Sequence, residues 1–186
     1  DSNSVTLIDS DTLRILTEIP VGVSPRTLTF TPDSRTLLVV NHQDATLSKV
    51  RLDTYEVVET YSLDSMPYGV VTDGVRAFVT EFGVASVSVI DLSSGEVSAR
   101  IAVDSFPAGI AITRGHRQVL ITHFFTGNLT VVDVQALMVV KQVSTGEDTN
   151  LSQSVAIGPD GRKAYLPQTR SNVKNLNPLF DSTVFP

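Results

Sequence analysis

The 186-residue chain carries a formal net charge of −6, with 41% hydrophobic residues, 18% charged residues and no cysteine. The acidic balance argues against a nucleic-acid partner, and the missing cysteines exclude disulfides, thiolate metal sites and c-type haem attachment within these residues. No apolar run reaches the roughly 18 residues of a transmembrane helix, and no signal peptide is recognisable.

In chain order, residues 5–20 read as two short strands opening at Val5-Thr6-Leu7-Ile8-Asp9. The same opening returns at Leu47-Ser48-Lys49-Val50-Arg51, Val87-Ser88-Val89-Ile90-Asp91 and Leu129-Thr130-Val131-Val132-Asp133, at intervals of 42, 40 and 42 residues. A second block follows about half a unit later, at Pro25-Arg26-Thr27-Leu28, Pro67-Tyr68-Gly69-Val70, Pro107-Ala108-Gly109-Ile110 and the degenerate Ser152-Gln153-Ser154-Val155. Between Pro25 and Ser62, strands are predicted over 27–31, 35–41, 45–52 and 56–62, separated by turn-forming Pro, Asp and Gly. A period of about 40–45 residues holding four short strands predicts an all-β fold, a β-propeller of four-stranded antiparallel blades.

The strand count gives about three whole blades (25–63, 67–103 and 107–144) plus two half-blades (5–20 and 154–167), an incomplete ring in one domain over 1–186. Its repeats run approximately over 4–45, 46–85, 86–127 and 128–172, with 173–186 the start of a further repeat or a linker. Within each first strand, small residues such as Gly69 and Gly109 suit the crowded axis. The intervening Leu28, Val70, Ile110 and Val155 should pack between sheets. Asp9, Asp91 and Asp133 repeat at a strand end ahead of a turn, where a carboxylate caps backbone N–H groups; Arg51 in the same place argues against a repeated catalytic role.

The motifs Ser86-Val87-Ser88-Val89-Ile90-Asp91, Pro107-Ala108-Gly109-Ile110-Ala111, Gly158-Pro159-Asp160-Gly161-Arg162 and Phe78-Val79-Thr80-Glu81 resemble the YVTN-type β-propeller repeat. The resemblance covers nearly all of residues 4–170. It is shared with surface-layer proteins and with the propellers of lactonases, amine-dehydrogenase heavy chains and haem-d1 nitrite reductases. It implies an extracytoplasmic location, in the periplasm or at the cell surface, with the signal peptide absent from this chain. Tyr165-Leu166-Pro167-Gln168-Thr169-Arg170-Ser171-Asn172 and the segment 179–186 look like propellers that continue into a cytochrome-c-like or di-haem peroxidase-like domain. That likeness implies haem in a missing C-terminal portion and no cofactor within this chain.

Ligands or partners should meet the face formed by the loops at 41–45, 81–85, 123–127 and 168–172. The candidate binding residues there are Asn41, His42, Glu81, Phe82, His123, Phe124, Phe125, Gln168 and Arg170, joined by Arg26 and Tyr68 after the prolines, with Phe106 just before Pro107. Asn41, Glu81, His123 and Gln168 share one register position, either a pocket floor or ordinary solvent-facing strand ends. His123 is the strongest single candidate for ligand binding or proton transfer. Phe82, Phe124 and Phe125 suit partner docking or burial beneath the loop. No G-x-S-x-G, H-E-x-x-H, P-loop or dinucleotide motif occurs, and the metal status is open.

The leading expectation is therefore a non-catalytic scaffold that binds a protein partner, or a further copy that completes the propeller, as a subunit of a redox or cell-surface assembly. The alternative is part of an enzyme, either a lactonase-like metal hydrolase or the propeller of a haem-containing oxidoreductase.

Overall fold

The computed structural model describes residues 3–146 and 149–170. The half-blade at the N-terminal side is the hairpin β1 (Ser4–Ile8) and β2 (Ile15–Pro20). Three four-stranded antiparallel blades follow. The first is β3 (Pro25–Phe30), β4 (Thr36–Asn41), β5 (Thr46–Arg51) and β6 (Glu56–Ser62). The second is β7 (Pro67–Thr72), β8 (Arg76–Glu81), β9 (Ser86–Asp91) and β10 (Val97–Ala102). The third is β11 (Pro107–Ile112), β12 (Gln118–His123), β13 (Leu129–Asp133) and β14 (Met138–Val143). Each runs in simple up-and-down order, and among the described residues the sheets do not close into a ring.

The last half-blade is thinner than the continuous strand pair expected over 154–167. It is split into two short ladders, β15 (Thr149–Asn150) with β18 (Thr169–Arg170), and β16 (Ala156–Ile157) with β17 (Ala164–Tyr165). The expected further repeat over 173–186 lies outside the described residues.

Burial explains why second strands read as unbroken apolar runs. Leu37 and Val39 face the preceding sheet and join Ile19 and Val50, whereas Leu38 and Val40 face the following sheet and join Leu47, Val70, Val79 and Ile90. A third core, between the second and third blades, holds Phe78, Val87, Val89, Val119, Ile121 and Val132. Each such side chain contributes about 1.5–3 kcal/mol on burial, so the hydrophobic core is a series of sheet-to-sheet layers. Fourth strands are mostly exposed or half-buried, as suits an outer strand, with Tyr61 and Ile101 turned into the cores.

Hydroxyl groups stitch each blade to the inner edge of the next. Thr27 Oγ1 donates to the Tyr68 carbonyl at 2.7 Å, Thr80 Oγ1 to that of Ala108 at 2.7 Å and Thr122 Oγ1 to that of Ser152 at 2.9 Å.

Val70 and Val155 are buried between sheets as expected, and Ile110 is half-buried, but Leu28 is 47% exposed. Among the described residues its neighbouring half-blade contributes only β1 and β2 and no inner strand covers Leu28, and Phe30 beside it is 55% exposed for the same reason.

The turns share one backbone device. Ser24, Met66, Phe106 and Leu151, each one residue ahead of an inner strand or its counterpart, all have φ between 49° and 58°. The repeated aspartates are turn caps: Asp9 Oδ1 accepts the Thr12 N–H at 2.7 Å, Asp91 Oδ1 that of Ser93 at 2.8 Å and Asp133 Oδ1 that of Ala136 at 2.7 Å. Those hydrogen bonds, led by the hydroxyls of Thr12 and Ser93, hold the Asp9 and Asp91 carboxyls below the usual carboxylate pKa. Arg51, in the same position, instead pairs with Asp53 at 2.9 Å.

Candidate functional site

Three of the four residues in the shared register pair directly with the prolines of their own blades: Pro25 with Asn41, Pro67 with Glu81 and Pro107 with His123. All three are fully buried, so they are not solvent-facing strand ends. Each bonds a hydroxyl seven residues ahead on the third strand: Asn41 Nδ2 donates to Ser48 Oγ at 2.8 Å, Ser88 Oγ donates to Glu81 Oε1, and Thr130 Oγ1 bonds His123 Nε2 at 2.8 Å.

The far side of each group holds the loop leading into the inner strand. Glu81 Oε2 accepts the N–H groups of Asp64 and Ser65 at 2.9 and 3.0 Å. His123 Nδ1 lies 3.2 Å from the Ser105 carbonyl. A carbonyl can only accept, so Nδ1 carries the proton and Nε2 accepts from Thr130. Asn41 is too short for this second role, and Asp44 fills it by accepting the Val23 N–H through Oδ2 at 2.5 Å.

Glu81 and His123 therefore perform both structural tasks with different side chains, whereas Asn41 performs only the first and leaves its buried Oδ1 without a partner among the described residues. His123 and Glu81 have their polar atoms engaged within their own blades, which leaves no convergent donor set for a metal between them. Among the described residues no group of three or more His, Asp or Glu side chains converges. Burial holds the His123 imidazole below the ordinary histidine pKa, against the upward pull of the Ser105 carbonyl and the Asp104 carboxylate.

Gln168, the fourth member, is half-buried and donates through Nε2 to the Gly127 carbonyl at 3.2 Å and to Thr145 Oγ1 at 2.6 Å, tying the last half-blade to the third blade. It has no proline-type partner at 152, because the local ladder pairs 149–150 with 169–170. The Arg170 side chain lies outside the described residues.

The aromatic candidates do come together. Phe82 sits at the centre, 5.2 Å from Phe106, 5.9 Å from Phe124 and 6.4 Å from Phe125 between ring centroids, and it stacks on Tyr68 at 6.0 Å. Phe125 also meets Phe106 and Phe124 edge-on at 4.8 Å. Tyr68 is buried. His42 meets its ring edge-on at 6.5 Å and lies 2.9 Å through Nδ1 from the Pro67 carbonyl, while Arg26 stacks over the Tyr68 face at 3.9 Å.

This layer is held by its backbone: the Phe82 N–H donates to the Met66 carbonyl at 3.1 Å and the Phe124 N–H to that of Phe106 at 2.9 Å. Phe125 is 54% and Phe106 41% exposed, and Met66, Val84 and Leu151 on the same face are similarly uncovered. Met66 and Leu151 were not among the sequence candidates. Their shared place with Phe106, one residue before the second block of each repeat, is the signal that identifies them.

No protein-family profile matches the chain. The uncharacterized protein YncE of Salmonella typhi is 32% identical over 97 residues, which is 51% of this chain and 26% of that protein. The same uncharacterized protein of Salmonella typhimurium matches to the same extent. Among solved structures, hydrazine synthase of Kuenenia stuttgartiensis superposes with a TM-score of 0.85 and 24% identity over 95% of this chain and 52% of that one. A functionally unknown protein from Desulfotomaculum acetoxidans gives a TM-score of 0.80 with 12% identity over 89% of this chain and 56% of its own. The chain thus spans about half of each structural neighbour and matches about a quarter of its curated relatives. At these identities the structural likenesses establish a propeller-type fold and nothing about activity.

Proposed function

We propose that this chain is a non-catalytic, protein-binding part of a larger propeller assembly, and that its partner docks on the face built around Phe82. The observation that carries this is the contiguous aromatic layer with Phe106 and Phe125 exposed, a kind of surface monomeric proteins seldom leave uncovered without a partner. The buried polar register supports it from the other side, since Glu81 and His123 are occupied in holding their own blades. The test is Phe124→Ala combined with Phe125→Ala: partner capture from the native source should fall sharply while the melting temperature stays close to that of the unmodified protein. Unchanged recovery of every partner overturns the reading.

The uncovered Leu28 and Phe30 support a second element of the proposal, in which further blades, from more of the same polypeptide or from a second copy, complete the ring. The exported location and a haem-bearing continuation rest on the sequence resemblance alone. Fractionation of source cells and a visible spectrum of the full-length polypeptide test them, and cytoplasmic recovery or a missing Soret band would remove them.

A further inference from the structure

Arg26 differs from the other charges of the docking face. Among the described residues the carboxylates there are engaged: Asp44 with the Val23 N–H, Glu81 with Asp64 and Ser65, Asp64 with Arg100 at 2.5 Å, and Asp104 with Asn128 at 2.8 Å. Arg26 is exposed, and among the described residues it forms no ion pair. Its guanidinium carbon lies 3.9 Å from the Tyr68 ring centroid, a contact that holds the charge in place while the exposed group keeps N–H donors for an acceptor. The same Tyr68 ring stacks on Phe82, which anchors the aromatic layer. Steps of 3.9 and 6.0 Å hold the guanidinium within about 10 Å of the Phe82 ring, the reach of two to three residues of extended strand.

We infer that the partner segment is an extended peptide carrying an acidic side chain two or three residues from an aromatic or aliphatic one. The carboxylate takes the N–H donors of Arg26, and the apolar side chain seats on Phe82, Phe106, Phe124 and Phe125. The inference rests on the docking reading above and adds charge selectivity to it. A cationic or purely apolar segment would leave the Arg26 guanidinium without a counter-charge as it is desolvated.

The test uses two end-capped pentapeptides, one with an aspartate two residues before a phenylalanine and one with asparagine in its place, titrated against the protein by calorimetry. The aspartate peptide should bind about fivefold more tightly at low salt, with the advantage shrinking as salt is raised. Arg26→Gln should abolish that advantage while leaving the asparagine peptide unaffected, and Phe124→Ala with Phe125→Ala should weaken both. Equal binding of the two peptides, or an equal loss for both in Arg26→Gln, overturns the charge selectivity while leaving the aromatic docking surface standing. Binding of neither peptide, or binding indifferent to Phe124 and Phe125, overturns both.

Discussion

Gly109 lies so close to Ser154 of the next inner strand that a Cβ built on it would stand 2.4 Å from the Ser154 Cα and 2.8 Å from the Gln153 carbonyl oxygen. Gly69 is in the same position one blade earlier, where a Cβ would meet the Ala108 carbonyl oxygen and Ile110 Cγ2, both at 2.8 Å. At 109 the obstacles are backbone, so no rotamer change relieves them. Gly109→Ala should destabilise the protein by about 2–3 kcal/mol, as overpacking of a close-packed core does. Gly115 provides the control: it has φ +89° with nothing within 4 Å of its would-be Cβ, so Gly115→Ala should cost only about 1 kcal/mol of backbone strain. Urea unfolding of the two variants measures the difference, and equal losses would refute steric contact at the axis.

The Glu81 carboxylate is fully buried and holds two backbone N–H groups and the Ser88 hydroxyl. Glu81→Ala removes the acceptor and strands the buried Ser88 hydroxyl and the two part-buried N–H groups, at a cost of about 2–3 kcal/mol. Glu81→Gln keeps one carbonyl oxygen and should recover part of the loss. A mild effect for alanine would mean that the loop at 64–65 is not held from within.

The state of His123 gives a pH dependence whose sign can be worked out. Its folded pKa is lowered by burial, so below the ordinary histidine value of about 6.5 the unfolded chain binds more protons than the folded one. The stabilisation from neutral His123 is therefore complete above that value and declines as pH falls through it. Burial of the neighbouring Asp104 acts upward on its pKa, but Asn128, the Ser105 N–H and Thr126 outweigh it and leave the pKa lowered. Its contribution is thus lost only further down, below the usual aspartate range. Thermal melts between pH 7 and pH 5 should show a decline that His123→Asn flattens, and an unchanged slope in that variant would assign the decline elsewhere.

The uncovered flank of the first blade makes a separate prediction. Leu28→Ser with Phe30→Ser replaces two exposed apolar side chains. If other blades cover this surface, the double variant should reduce concentration-dependent association in sedimentation velocity without lowering the melting temperature. A self-association constant that does not change would show that the flank is not a contact between copies.

The repeat made the blades legible, because a two-residue alternation within a 40–42-residue period determines which strand faces which sheet. Asn41, Glu81 and His123 were legible as one register position, yet their role was not. A polar residue at a strand end reads as exposed until the partner hydroxyls at 48, 88 and 130 are seen to be seven residues away across the ladder. The exposure of Leu28 was hidden for another reason. Its repeat position is buried wherever a complete neighbour stands, as at Val70, and sequence periodicity carries no record of a neighbour's missing strands. The aromatic layer was half visible: Phe82, Phe124 and Phe125 stand out by type, whereas Met66 and Leu151 are recognised only by the left-handed backbone they share with Phe106.

The Tyr68 hydroxyl reaches Gln153 Oε1 at 3.3 Å, so this bond joins the second blade to the last half-blade and skips the third. Such a contact works as a strain gauge. If the third blade tilts outward, this bond lengthens. The chain contains no tryptophan and four tyrosines, so tyrosine emission, to which the buried Tyr68 contributes, follows how far the arc is sprung.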